Sequence, residues 1–507
     1  MADVTAPIED NYKLSLKGST RGTLKDSDCH DHQHSPNRFG VVPTPERLNA
    51  DRNYTGKGVT IAFLDSGFYP HPDLSEPESR ILAYHDLAGE RPSLNPDDEV
   101  KSWQWHGTQT SVAAAGNGWL SDGVYRGLAS DAMVVLVKAS QKGRIGEENI
   151  ARGIEWVIEN RKRYNIRVLN ISLGGDHDVV FSRSAINHAA EEAINQGVVV
   201  VAAAGNSGAE GKRSIPPANS PSVITVGGYD DKNDLDPTTI DLYHSNFGHT
   251  ADGFVKPELI APAMWVAAPI LPRTPLYERA EALSRLLAAP DYELSKLAQE
   301  LADQAEIPHR LLPAKPGVLR AFLESVLSEQ KIIAAHYQHV DGTSFAAPIV
   351  ASLVAQMLEA NPALTPLMVR KILISTADRI AHAPVLRQGY GVIDARQAVS
   401  LAADQTLRFE TLNCAPPRIE NGKVLFAFQG VQAVSVSLAG DFNGWDSNKT
   451  KLEKDEHGFW RTALDAPPPG VYQYKFIING EWWLEDPNNG MKAPDGHGGL
   501  NSVLTIK

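Results

Sequence analysis

Four polar residues, Asp65, His106, Asn206 and Ser344, are of the types that together could do acyl transfer. A serine hydroxyl is a weak nucleophile until an imidazole takes its proton. The imidazole in turn needs a buried carboxylate to hold its tautomer and to stabilise the imidazolium that forms. A carboxamide such as that of Asn206 can donate to the oxyanion of a tetrahedral intermediate. Taken singly, each residue has an ordinary reading: Asp65 as a cap ahead of Ser66-Gly67, His106 as a structural histidine, Gly342-Thr343-Ser344 as a helix cap.

The elements that must position them are legible. After Asp341-Gly342-Thr343-Ser344-Phe345-Ala346-Ala347-Pro348 runs IVASLVAQMLEANP, in which Ile349, Val350, Leu353, Val354, Met357 and Leu358 leave almost no polar face and Asn361-Pro362 supplies a stop. Pro348 is expected in the first turn of that helix, where its missing N–H costs nothing. Ser344 then lies at or just before the N-terminus, among free N–H groups that stabilise developing negative charge. Upstream, VTIAFLDSGF has the continuous apolar run of a strand buried on both faces, with Asp65 at its end. His106 stands in WQWHGTQTSVAAAGNG at the start of an Ala-rich helix. The strands AMVVLVKAS, IRVLNISLGG and VVVVAAAGNSG alternate with the helices ENIARGIEWVIENRKRYN and HAAEEAINQG. This is the signature of βαβ units and of a doubly wound, mainly parallel α/β sheet whose strand ends carry the site.

The order Asp, His, Ser and the segments FLDSGFYPHPDL, WHGT, LNISLGG, VVVVAAAGNSG, KPELIAPA and DGTSFAAP, with GYGVIDARQAV closing the set, resemble the subtilisin-like serine proteases. The resemblance spans about residues 58 to 400. It implies a subtilisin-like fold, a triad of Asp65, His106 and Ser344, and an oxyanion hole of Asn206 and the Ser344 backbone N–H. It also implies a peptide bound as an added strand along Ser172, Leu173, Gly174, Gly175 and the backbone of Ala203, Ala204 and Gly205. Leu173-Gly174-Gly175 and Ile215-Pro216-Pro217-Ala218 suggest an apolar first side chain. No cofactor is required for this chemistry. Calcium is common in the family, and Asn117, Ser121 and Asp122 after the histidine helix are the candidate oxygens for a structural ion.

Three departures stand out. Gln109 replaces the histidine that usually follows Gly-Thr in the histidine motif. The stretch before Asp65 is too short for the folded pro-domain of secreted relatives. Residues 272–332 form an insertion ahead of the nucleophile, in which LYERAEALSRLLAA, YELSKLAQELAD and VLRAFLESVLSEQ repeat apolar residues at helical spacing. A lid or a docking element for a protein partner is expected there.

Beyond a Pro416-Pro417 linker at 406–420 the pattern changes to strands alone. KVLFAFQG, AVSVSLAG, FWRTALDA, VYQYKFIING and SVLTI are separated by turns such as Asn443-Gly444 and Asn479-Gly480. An immunoglobulin-like β-sandwich over 421–507 is expected. Trp445, Trp482 and Trp483 are not explained by core alternation, and flat exposed rings suit the C–H face of a pyranose. The module resembles the glycogen-binding domain of AMP-activated kinase β subunits and the related carbohydrate-binding family of starch-debranching enzymes. By that resemblance Trp445, Lys475, Trp482 and Asn501 are the sugar contacts, although Gly499 stands where relatives place a threonine.

With 507 residues, 48 Lys+Arg against 61 Asp+Glu and 42% apolar residues, the chain supports two or three domains and is acidic. A nucleic-acid partner is therefore not expected. Two cysteines, Cys29 and Cys414, give no disulfide framework, and the N-terminus lacks an apolar leader core. These features predict a cytoplasmic protein without a membrane partner, whose partners are a peptide or protein substrate and an α-glucan. Residues 1–37 read as a flexible tail. Its Cys29-His30-Asp31-His32-Gln33-His34 run carries metal-ligating types, crowded as in a solvated segment rather than spaced for a site. The alternative to an endopeptidase is a glucan-binding or scaffolding protein that keeps the protease fold in a silent form.

Overall fold

The structure, a computed structural model, describes residues 40–89, 94, 99–141, 143–180, 183–404, 417–429, 433–454, 459–486, 489, 491–497 and 499–506. The tail at 1–37, its Cys29–His34 run and most of the expected linker lie outside these residues.

The larger, N-terminal domain is built on seven parallel strands: β1 (Thr60–Asp65), β2 (Ile81–Asp86), β3 (Met133–Lys138), β4 (Ile166–Ile171), β5 (Val199–Ala203), β6 (Ile224–Asp230) and β7 (Leu259–Pro262). Their order is β7-β6-β5-β4-β1-β3-β2. From β3 the chain crosses over β1 to β4, so the carboxyl ends of β1 and β4 flank the switch in winding direction, where open α/β sheets form a crevice. Alternation along each strand feeds two cores. Ile61, Phe63, Val134, Leu136 and Val168 face α1 (Trp105–Ala115) and the later helices, while Ala62, Leu64, Val135, Val137 and Leu169 face α2 (Glu147–Asn160) and α3 (Ala185–Asn195).

The insertion forms α4 (Pro275–Ala288), α5 (Asp291–Glu300) and α6 (Pro316–Glu329). These helices close on a core of their own, with Leu283, Leu286, Leu294, Leu319 and Leu323 at its centre. The insertion is carried on a small antiparallel sheet of β8 (Val266–Pro269), β9 (Ile332–Ala334) and β10 (Tyr337–Val340), ordered β8-β10-β9. From β10 the chain passes through Asp341 and Gly342 into α7 (Thr343–Ala360), the central helix of the first core. Among the described residues α7 is the one helix long and apolar enough to cross a membrane by composition, and 83% of it is buried inside the protein.

The C-terminal module is all β, in two sheets with β11 (Arg418–Glu420), β12 (Lys423–Gln429), β13 (Val436–Gly440), β14 (Glu453–Lys454), β15 (Phe459–Asp465), β16 (Gly470–Ile478), β17 (Trp482–Leu484), β18 (Lys492–Pro494) and β19 (Leu500–Ile506). β11 pairs with β12, so the module begins ahead of the expected residue 421. Val424, Phe426, Leu438, Tyr474, Phe476 and Leu504 fill the space between the sheets. The module rests against the N-terminal domain: Arg379 pairs with Glu485, and Phe254 forms a β-bridge with Met491.

Candidate active site

Asp65 ends β1 and is 2% exposed. Its Oδ1 accepts from His106 Nδ1–H at 2.8 Å and from the Ser66 N–H at 2.6 Å, and its Oδ2 accepts from Thr110 Oγ1–H at 3.2 Å. His106 lies in the first turn of α1, and Thr110 follows one turn later on the same face. The helix approaches so closely that a Cβ on Gly107 would stand 2.3 Å from the Gly67 carbonyl oxygen and 3.0 Å from Asp65 Cβ. Glycine after the histidine is therefore a steric requirement. Burial by itself would lower the His106 pKa, but the Asp65 charge and hydrogen bond outweigh it and hold the imidazole above its ordinary value. Because the carboxylate only accepts, the Nδ1 position carries the proton and Nε2 is left basic.

Ser344 is the second residue of α7, after Gly342, whose φ of +138° only glycine adopts readily. Of the first amides of the helix, Thr343 N–H donates to Asn206 Oδ1 (2.9 Å), and Phe345 and Ala346 N–H donate to the Gly342 carbonyl. Among the described residues the Ser344 N–H has no partner and is left for a substrate oxygen. Thr343 Oγ1–H also donates to Asn206 Oδ1 (2.9 Å), so both donors meet the oxygen of the Asn206 carboxamide and its Nδ2 is the end left for a ligand. Asn206 is exposed.

Pro348 is the sixth residue of α7 rather than part of its first turn, which corrects the expectation above. A proline there cannot donate to the Ser344 carbonyl four residues back. The Ser172 hydroxyl replaces the missing donor, at 2.8 Å, and is itself held by Asn170 Nδ2 at 3.1 Å. Ser172 thus holds the backbone of α7 at Ser344 as well as opening the expected substrate strand. The Ser344 hydroxyl rests on the Ser172 carbonyl at 3.4 Å, and the His106 ring lies against Phe345, centroids 5.9 Å apart.

Along the expected rails the two sides differ. Leu173 and Gly174 are partly or fully exposed, and the Gly175 N–H is fixed to the Pro216 carbonyl at 2.8 Å. A Cβ on Gly174 would meet Ile215 at 3.2 Å, so Ile215 forms the opposing wall. On the other side, the Ala204 N–H donates to the Val226 carbonyl, the Gly205 N–H to Thr343 Oγ1, and the Gly205 carbonyl accepts from Asn246. The Ala204 and Gly205 N–H groups are thus already paired within the protein. Gln109, the departure in the histidine motif, is buried and ties α1 to the insertion's base by donating to the Pro269 carbonyl at 3.0 Å.

The calcium candidates Asn117 and Ser121 are engaged in local hydrogen bonds. Asn117 Oδ1 accepts from the Trp119 N–H and its Nδ2 donates to the Glu76 carbonyl, Ser121 Oγ bonds Gly118 and Tyr125, and Asp122 is exposed. A calcium ion needs six to eight oxygens directed at one point. Among the described residues no group of three or more His, Cys, Asp or Glu side chains is placed to hold a metal ion.

In the module, Trp445 stacks on Trp483, centroids 6.5 Å apart at 26°, and Trp483 is 45% exposed. The aromatic platform therefore includes Trp483; the side chain of Trp482 lies outside those described. Lys475 Nζ is paired with Asp495 at 2.6 Å, and Asn501 is 7% exposed and donates to Gln473 Oε1 at 2.8 Å. Asp441 links the platform to that face by accepting from both Trp445 Nε1 (2.8 Å) and the Gln473 N–H (2.6 Å). Gln473 and Lys475 share the face opposite the core residues Tyr474 and Phe476. Only the strand alternation could have indicated Gln473 from sequence.

A profile of the subtilase family matches residues 56–391, and one of the glycogen recognition site of AMP-activated protein kinase matches residues 423–507. Serine protease AprX of Bacillus subtilis is 30% identical over 365 residues, 70% of this chain and 69% of AprX. The minor extracellular protease Epr of the same species is 31% identical over 45% of this chain and 32% of Epr, and its subtilisin E 31% identical over 45% of this chain and 56% of subtilisin E. With two thirds of its length matched in order and the strand-end site in place, the chain belongs to the subtilase family of serine peptidases.

Proposed function

We propose that the chain hydrolyses peptide bonds inside protein substrates through an acyl-enzyme on Ser344, and that its C-terminal module holds it on an α-glucan such as glycogen. His106 Nε2 takes the Ser344 hydroxyl proton as Oγ attacks the scissile carbonyl, then returns it to the leaving amine. Asp65 keeps the proton on Nδ1 and stabilises the imidazolium. The Ser344 N–H and Asn206 Nδ2 receive the oxyanion, and water repeats the sequence on the ester. The observation that carries this reading is that His106 is clamped to Asp65 at 2.8 Å while the Ser344 N–H is left open beside Asn206. Asn206→Ala should lower kcat by about 10²–10³ with little change in KM. A loss confined to KM would contradict the oxyanion role.

The resting contact of the Ser344 hydroxyl with Ser172 favours the second reading, a scaffold with a silent protease fold. Absence of peptide turnover by the native chain under every condition tried would support it. For the module, retention on immobilised glycogen should be lost in Trp445→Ala/Trp483→Ala. Equal retention of that double variant would refute the platform.

A further inference from the structure

Asn206 is exposed on a turn, yet its two flanking peptide groups are bonded to one residue. The Asn246 N–H donates to the Gly205 carbonyl, just before Asn206, at 2.9 Å. Asn246 Oδ1 accepts from the Ser207 N–H, just after it, at 2.7 Å. Asn246 Nδ2 donates to the Arg213 carbonyl at 2.9 Å, which fixes the plane of the carboxamide. Neighbours extend the seam: the Gly208 N–H donates to the His244 carbonyl (3.0 Å), and the Gly228 N–H on β6 donates to Ser245 Oγ (2.7 Å). The contact is tight enough to require glycine at both ends of the turn. A Cβ on Gly205, whose φ is +102°, would lie 2.6 Å from Asn246 Nδ2, and one on Gly208 would lie 1.7 Å from the Ser245 carbonyl oxygen.

Fixing both flanking peptide planes fixes φ and ψ of Asn206, and with them the direction of its side chain. Thr343 fixes the far end of that side chain through Oδ1. We propose that Asn246, 6% exposed, is a positioning residue for oxyanion stabilisation: it acts through Asn206 and does not touch substrate. This rests on the assignment of Asn206 as oxyanion donor. Preorganised donors act because they need no reorganisation at the moment of reaction, and an outright loss of one costs about 10²–10³ in rate. Loosening its support should cost part of that.

The test is a cycle on the full chain with Asn246→Ala, Asn206→Ala and the double variant. Asn246→Ala is expected to lower kcat about 10- to 100-fold with KM within about twofold. It should weaken a peptidyl boronate, which forms a tetrahedral adduct, by the same factor, and leave a noncovalent product peptide unaffected. In the Asn206→Ala background the same change should cost less than about threefold. Asn246→Asp, which keeps an acceptor for the Ser207 N–H, should recover much of the loss. If Asn246→Ala does not fold, Asn246→Ser carries the same cycle. An undiminished loss in the Asn206→Ala background would mean general damage and overturn the proposal. If the wild-type chain turns over no peptide, the Asn206 assignment fails and takes the proposal with it. If Asn206→Ala costs the full factor and Asn246→Ala costs nothing, the proposal alone fails.

Discussion

In the proposed mechanism, the Asp65 charge governs the pH at which His106 can serve as a base. It holds the imidazole above its ordinary value against the opposing effect of burial, and the base must be neutral to accept the Ser344 proton. Activity should therefore fall as pH drops through the His106 pKa, with the acid limb of kcat/KM above about 6.5. Asp65→Asn should move that limb to lower pH and reduce kcat by about 10⁴, since an amide can hold the wrong tautomer. A pH–rate profile with an unmoved limb would contradict the pairing. Asp65, His106, Asn206 and Ser344 were legible in the sequence because each is marked locally, by a strand end or a helix start. The partners that aim them were not: Ser172 meets Ser344, and Asn246 meets Ser207, only after the sheet has folded. Trp483 was visible as an unexplained aromatic, but its stacking on Trp445 needed the folded module.

Among the elements, the insertion shows what periodicity can and cannot reveal. Its three helices follow from apolar spacing, but their anchoring does not. Tyr277 on α4 stacks on His336 with centroids 5.1 Å apart, and Lys331 pairs with Asp341, three residues before Ser344. Tyr337 on β10 donates to both carboxylate oxygens of Asp73, at 3.0 and 2.8 Å, and so ties the strand after the insertion to the segment after Asp65. These contacts come from isolated polar residues scattered over helices, strands and connecting segments, which leave no pattern to read. Burial pushes the Asp73 carboxyl up from 3.8 to about 6, although Tyr337, Leu120 and Arg80 pull it down. A carboxyl whose value rises on folding binds more protons in the native state across that window. Its effect is therefore a loss of stability as pH rises from about 4 to 6, constant above. Asp73→Asn, which keeps an acceptor for Tyr337, should stabilise the chain by up to about 3 kcal/mol at pH 7.5 and by much less at pH 4.5, read from urea unfolding. An equal effect at both pH values would show that the charge is not the cause. Replacing residues 272–332 by a short turn should alter turnover of folded proteins more than of small peptides. Unchanged turnover of both would rule out a lid.

At the scale of the molecule, the module is a docked lobe. Glu485 and Lys492 are buried beside Arg379, and although burial would raise the Glu485 carboxyl, the Arg379 and Lys492 charges hold it below the usual range. Burial lowers Lys492 to about 8. Removing one member of such a group leaves a buried charge uncompensated, which typically costs about 3–5 kcal/mol. Glu485→Ala should lower the unfolding midpoint of the whole chain accordingly, while Trp483→Ala, at an exposed ring, should barely move it. An unchanged midpoint in Glu485→Ala would mean that the two halves are tethered rather than packed. Two domains, their fold classes and the order of the site were readable from patterning and motifs. Their mutual contact was not, because it rests on single charged residues such as Arg379 and Glu485 drawn from distant parts of the chain. The central claim, that Ser344 is an activated nucleophile, is tested most directly by treating the native chain with a fluorophosphonate and measuring intact mass. One adduct per chain is expected, mapping to Ser344, absent in Ser344→Ala and much slowed in His106→Ala. No adduct on the native chain, or one that persists in Ser344→Ala, would contradict it.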